Sequence, residues 1–156
     1  MRPTEVGIPE MMPFTLRPAR YRDLRSIRRL IWRVRINVFG LEWRRFVVVE
    51  TAGGDFVGCG QLKPHADGSV ELASIAVVER FRGLGAARLV IDHLIAAGSL
   101  PLFLMCLPKM VPFYEQFGFR TALIREMPPT LRRFHRFAHR VGSITRREAP
   151  VIMRLD

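Results

Sequence analysis

The chain has 156 residues, 49% of them apolar and 25% charged, the balance of one globular domain that can bury a core without covalent staples. Its net charge is +11, and 23 of its 25 basic residues are arginine. These figures exclude a disordered tail, a coiled coil and a secreted disulfide knot. No run approaches the roughly 18 apolar residues of a membrane helix, no secretory leader is expected, and Cys59 and Cys106 both lie inside apolar runs. The expectation is a cytoplasmic protein with no membrane span and no metal site.

In chain order, residues 1–13 read as a loose lead-in with three prolines, and residues 14–156 as a single domain. Phe14–Arg17 is a short strand. Tyr21, Leu24, Ile27, Leu30, Ile31 and Val34 repeat at helical spacing and leave an Arg-rich outer face. Residues 37–43 fit a loop or a short second helix. Phe46–Thr51, Phe56–Lys63 and Val70–Val78 form a three-strand meander joined by the turns Ala52-Gly-Gly-Asp55 and Ala66-Asp-Gly-Ser69. The third strand is apolar on both faces after Glu71 and is expected at the sheet centre.

A Gly-containing loop, residues 79–85, leads into a helix over Ala86–Ala97 that Gly98 caps. Leu102–Leu107 is a strand, Val111–Phe117 a short helix ended by Gly118, Phe119 onward a strand, and Val151–Leu155 the last strand. Between these, residues 126–150 form a basic insert. Its helix, Thr130–Val141, carries the stripe Leu131, Phe134, Phe137, Ala138 and Val141, expected to dock on the domain.

The charge is uneven. Ten Arg face two acids between Arg17 and Arg45, and six Arg face two Glu between Glu126 and Glu148. Residues 46–125 balance, with seven basic and seven acidic. Attraction to nucleic acid, anionic lipid or an acidic substrate is one reading. Solvated helix faces in an Arg-biased composition are the other, and the neutral middle, which holds the sharpest motif, favours it.

That motif is Arg82-Gly-Leu-Gly-Ala-Ala87 between strand and helix. Glycine lets the backbone bend tightly, and the helix start adds free N–H groups and the positive end of a dipole, which together suit a phosphate. No Gly-Lys-Ser/Thr follows, so it is not a P-loop, and a dinucleotide fingerprint lacks its third glycine.

Ile75-Ala-Val-Val-Glu-Arg-Phe-Arg-Gly-Leu-Gly-Ala-Ala-Arg88 resembles the acetyl-CoA motif of the GNAT superfamily of N-acetyltransferases, Gln/Arg-x-x-Gly-x-Gly/Ala, through Arg82, Gly85 and Ala87. Pro112-Phe-Tyr-Glu-Gln-Phe-Gly-Phe119 is similar to that family's helix-to-strand signature. The resemblance covers about Phe14–Leu155 and implies an α+β, sandwich-like fold. That fold has a mixed, mostly antiparallel central sheet, helices on both faces and a splayed acetyl-CoA cleft. It implies acetyl-CoA as cosubstrate. Backbone N–H groups of Gly83, Leu84, Gly85, Ala86, Ala87 and Arg88 would hold the pyrophosphate beside Arg82. Backbone groups of Ile75, Ala76 and Val77 would pair with the pantetheine arm.

Acetyl transfer needs a neutral amine, a donor to the developing oxyanion and a proton for the departing thiolate. The resemblance puts Tyr114 at the position that supplies that proton, the alternative being a packing aromatic. Glu71, six residues before Val77, matches a glutamate base of some lysine acetyltransferases; the alternative is a solvated strand start. A backbone N–H near Val77 suits the oxyanion. Phe39, Glu42 and Trp43 would shape the acceptor pocket, with Glu42 pairing a cationic amine or simply balancing Arg44 and Arg45. His65 and Lys63 read as an exposed turn flank, the alternative being a part in substrate binding, His93 as surface, and Cys106 as buried core rather than nucleophile.

The function so implied is direct transfer from acetyl-CoA to a primary amine of a small molecule, peptide or protein. The Arg-rich first region favours an acceptor bearing a carboxylate, or an acidic peptide. The alternative is a non-catalytic acyl-CoA sensor, which needs the backbone cradle but neither Tyr114 nor Glu71. Nucleic-acid binding has no recognised motif behind it. A homodimer through the last strands is compatible with the sequence.

Overall fold

The computed structural model describes residues 14–36, 40–145 and 148–156, with the backbone alone at 144 and 145. In chain order its elements are β1 (Phe14–Pro18), α1 (Leu24–Arg33), β2 (Phe46–Thr51), β3 (Phe56–Pro64), β4 (Val70–Val77), α2 (Ala86–Ala97), β5 (Leu102–Cys106), α3 (Val111–Glu115), β6 (Arg120–Thr121), α4 (Pro129–Thr145) and β7 (Val151–Leu155). The strands form one sheet in the order β1-β2-β3-β4-β5-β7-β6. All neighbours are antiparallel except β4 and β5. The expected meander is therefore present, and β4 occupies the middle of the sheet. No helix among the described residues is long and apolar enough to cross a membrane.

Strand alternation assigns the two faces. On β2, Val47 and Val49 pack with Val90, Ile91 and Leu94 of α2, while Phe46 and Val48 pack with Ile27, Leu30 and Ile31 of α1. On β5, Leu102 and Leu104 join the α2 cluster, and Phe103 joins Leu131 of α4 and Ile152 of β7. So α2 covers one face, and α1 and α4 divide the other. Each fully buried aliphatic side chain contributes about 1.5–3 kcal/mol.

The start of α1 is fixed electrostatically. A single 3₁₀ turn, Tyr21–Asp23, precedes it. The Asp23 carboxylate accepts from Arg17 at 2.7 Å and from the Arg20 backbone N–H at 2.6 Å, and Arg17 also donates to Glu50 on β2 at 2.9 Å. Arg17 holds the Asp23 carboxyl below its usual range. Tyr21 lies outside the stripe assigned to it and is 73% exposed.

Three expected elements come out shorter or different. The helix at 111 ends at Glu115, the strand after Phe119 is reduced to Arg120–Thr121, and Trp43–Arg45 is a 3₁₀ turn.

The larger correction concerns α4. Leu131 is buried, but Phe134, Phe137 and Val141 are exposed. The inward line is Leu131, His135, Ala138 and Gly142, which are buried or half-buried and displaced around the helix from the apolar stripe. Small residues let the backbone approach, so apolar periodicity finds Leu131 and Ala138 but misses His135 and Gly142. A cavity of about 740 Å³ lies beside this line, walled by His135, His139 and Gly142 of α4 and by Ala122, Met127 and Ile152. Leu131→Ala is expected to cost about 2–5 kcal/mol, whereas Phe137→Ala should stay within about 0.5 kcal/mol of wild type. Urea unfolding of the two variants checks the orientation of the helix.

Candidate functional site

A cleft opens where β4 and β5 part. They pair only at Val70 with Leu102 and Glu71 with Phe103, although β4 continues to Val77 and β5 to Cys106. The edge of β4 beyond Glu71 is thus left without a neighbouring strand. A bulge interrupts the β3–β4 ladder between Cys59 and Gln61, with Ser74 opposite at φ 58°. It changes which side chains face α2: Val70 and Leu72 do so before the bulge, Ile75 and Val77 after it. Glu71, between Val70 and Leu72, therefore belongs to the face that α1 and α4 cover.

At the far end of the cleft, the loop after β4 turns into α2. Gly85 has φ 88° and Gly83 φ 76°, and a Cβ on either would meet nothing within 4 Å. The glycines serve the left-handed backbone, and the outer side of the loop stays open. Gly85 gives α2 no side-chain cap, and the first helical bond from this turn is Leu89 N–H to Gly85 C=O at 3.1 Å. The N–H groups of Ala86, Ala87 and Arg88 remain available at the positive end of a 12-residue helix. This open, donor-lined cradle fits a pyrophosphate. Arg82 donates through Nε to the Val77 carbonyl at 3.3 Å and ties the loop to the end of β4. The Arg88 side chain is engaged elsewhere, on Gln116 at 3.1 Å and over the Phe117 ring.

Tyr114 of α3 packs edge-on against Phe113 and Phe119 in the core under α2. Burial, and secondarily Cys106, push its phenol up to about 12. Its hydroxyl is therefore protonated throughout the neutral range and can donate. Cys106, at the end of β5, is buried in the same cluster, and burial pushes its thiol up to about 11, which leaves it a poor nucleophile.

Glu71 is not a solvated strand start. It is 5% exposed, and its Oε2 lies 2.8 Å from Nε2 of His65. His65 corrects its expectation too: its side chain is only 11% exposed, not a bare turn flank. Next to this pair, Gln61 is fully buried, its Nε2 donates to Ser74 Oγ at 3.0 Å, and its Oε1 has no partner among the described residues. Lys63, half-buried, stands opposite Glu71 on β3 and comes close to Gly40 of the α1–β2 loop. Sequence reading undervalued His65 and passed over Gln61. The available signal was a glutamine inside the apolar run 56–62.

The expected acceptor residues are less informative. Phe39 lies outside the described residues. Glu42 pairs with Arg44 at 3.2 Å, and Trp43 packs edge-on against Tyr21 and under Arg44. These contacts serve the loop itself. An unforeseen cavity of about 420 Å³ lies between the end of α1 and the end of β4. Arg29 and Arg33, one helical turn apart, line it with Arg82, and Glu79 is its single acid.

A sheet splayed beside a backbone anion cradle suits an elongated ligand that carries a phosphate at one end. The acetyltransferase (GNAT) domain family matches residues 42–121, more than half of the chain, and the protein belongs to that family. Among solved structures, N-acetylglutamate synthase from Neisseria gonorrhoeae, complexed with coenzyme A and N-acetyl-glutamate, superposes with a TM-score of 0.72 at 22% identity, covering 92% of this chain and 35% of that one. The present chain thus spans about a third of that synthase. Rv2747 from Mycobacterium tuberculosis, also in complex with CoA, gives 0.68 at 20% identity over 90% of this chain and 98% of that one. Ribosomal-protein-S18-alanine N-acetyltransferase from Escherichia coli gives 0.61 at 20% identity, covering 92% and 93%. Comparison with curated proteins by sequence finds no match.

Proposed function

We propose that this protein transfers the acetyl group of acetyl-CoA directly to a primary amine that carries an anionic group. The observation that carries the reading is the combined site: a splayed β4–β5 cleft with an open N–H cradle at one end and a buried carboxylate, Glu71, at the other. Bound acetyl-CoA supplies an acetyl thioester, from which an amine displaces the CoA thiolate. N–H groups of residues 83–88 would hold the pyrophosphate, and the free edge of Ile75, Ala76 and Val77 the pantetheine arm. A backbone N–H near Val77 would meet the oxyanion. Glu71 takes the proton from the amine and Tyr114 gives one to the departing thiolate. Catalysis by the protein then consists of orientation and two proton transfers.

The anionic acceptor rests on the arginine cavity. Among the described residues Arg29 and Arg33 make no ion pair, and three guanidinium groups face one carboxylate there. The relatives act in a compatible way: one synthase structure holds N-acetyl-glutamate, and glucosamine-6-phosphate N-acetyltransferase from Arabidopsis thaliana acts on a phosphorylated amine. Thiol release should be measured with amino acids, aminosugar phosphates, polyamines and peptides. The expected order places carboxylate- and phosphate-bearing amines above polyamines. Arg29→Ala with Arg33→Ala should raise the acceptor KM about tenfold while leaving the acetyl-CoA KM near wild type. Preference for polyamines, or an unchanged acceptor KM, would contradict the anionic acceptor.

A further inference from the structure

We infer that His65 is a positioning residue for acetyl transfer: its ring N–H fixes one oxygen of Glu71 so that the other receives the proton of the incoming amine. This rests on the acetyltransferase reading above and adds a residue that the family's signatures do not contain.

The geometry is specific. His65 Nε2 and Glu71 Oε2 are 2.8 Å apart, with the side chains 11% and 7% exposed. An ionised carboxylate only accepts, so in this contact the proton sits on Nε2 and the imidazole donates. No hydrogen bond from a described residue reaches Oε1. The two oxygens therefore have separate tasks. Glu71 belongs to the last β4–β5 pair, Glu71 with Phe103, at the point where the strands begin to part.

The backbone of His65 is held on both sides. Its N–H donates to the Ser69 carbonyl at 2.9 Å, and its carbonyl accepts from Gly68 N–H at 3.0 Å. The turn between them is pinned by Asp67. Its Oδ1 accepts from the Ser69 N–H and hydroxyl, and its Oδ2 accepts from the Thr130 N–H at the start of α4, at 2.9 Å. These donors hold the Asp67 carboxyl well below the usual carboxylate range. The ring is thus carried on a hairpin that α4 locks in place. An apolar pair would serve this hairpin without the desolvation cost of a buried carboxylate. A hydrogen-bonded His–Glu pair at the point where β4 and β5 part is accounted for by chemistry.

The step balances. The amine nitrogen forms the N–C bond, its proton passes through water in the cleft to Glu71 Oε1, the C–S bond breaks, and Tyr114 protonates the thiolate. Glu71 then returns its proton to water in the cleft, and the Tyr114 phenolate takes a proton from water, so that both groups are restored. His65 keeps its own proton and changes none of these bonds.

The test uses the full-length protein, acetyl-CoA and the amine that wild type turns over best. His65→Phe should lower kcat about 10- to 100-fold, the range for a lost hydrogen bond to a charged group, with the acetyl-CoA KM within about twofold of wild type. His65→Gln, whose amide N–H can reach the same oxygen, should recover most of that loss. In a Glu71→Gln background, His65→Phe should cause no further loss. The inference is overturned if His65→Phe keeps wild-type kcat, if His65→Gln is no better than His65→Phe at equal melting temperature, or if the loss persists in full without Glu71. Should His65→Phe fail to fold, His65→Gln must lie well above Glu71→Gln in kcat, or the inference falls. Wild-type protein that acetylates no amine would remove the reaction, and the role of His65 with it.

Discussion

Tyr114→Phe is expected to lower kcat by about 10²-fold or more, the range for loss of a positioned acid, while acetyl-CoA binds as in wild type. The substitution deletes one oxygen and keeps the ring that packs against Phe113 and Phe119, so the core should stay intact. The phenol is pushed up to about 12, mainly by burial. A raised value means that the folded protein keeps this proton. The stability it contributes is fully present below the ordinary tyrosine value near 10 and fades as pH rises towards 12. Turnover should therefore show no loss attributable to Tyr114 as pH rises from 7 to 10. Steady-state rates across that range, with melting temperatures for both proteins, check this. Wild-type kcat in the Tyr114→Phe variant would return Tyr114 to a packing role.

The second large effect concerns the cradle. Gly85→Val is expected to weaken acetyl-CoA binding about tenfold or more. A β-branched residue at φ 88° carries about 1–3 kcal/mol of backbone strain, and each 1.4 kcal/mol is a factor of ten in affinity. The side chain would also project into open space in front of the N–H groups of α2. Calorimetric titration with acetyl-CoA measures the change. Unaltered affinity, with the fold intact by circular dichroism, would place the pyrophosphate away from residues 83–88.

Much of this molecule can be read from its residues because the signals are local. Two Gly-containing turns fix the meander, and Arg82-Gly-Leu-Gly fixes the strand-to-helix junction in register with α2. The splay follows from the family resemblance and not from any periodicity, since nothing in Leu72–Val77 says that its neighbour departs. Two errors share a physical origin. The inner side of α4 is built from Leu131, His135, Ala138 and Gly142, so only Leu131 and Ala138 of the apolar stripe face inward, while Phe134, Phe137 and Val141 are exposed. His65 looked like a turn flank because six positions of sequence conceal that the hairpin closes onto Glu71. Small residues at close approaches, and polar residues that satisfy one another, are invisible to apolar periodicity. The arginine cavity at the end of α1 was hidden for the opposite reason. Arg29 and Arg33 are two among 23 arginines, and only the fold brings Arg82 to them.

The central claim is that the cleft performs chemistry and does not merely hold acyl-CoA. The most direct measurement is thiol release from acetyl-CoA by wild type and Tyr114→Phe side by side, across amino acids, aminosugar phosphates, polyamines and peptides, with mass spectrometry of the amine. The expected result is amine-dependent release, an acetylated amine bearing a carboxylate or phosphate, and a large loss in the variant. Tight CoA binding with no acetylated amine from either protein would contradict it and favour a non-catalytic acyl-CoA sensor.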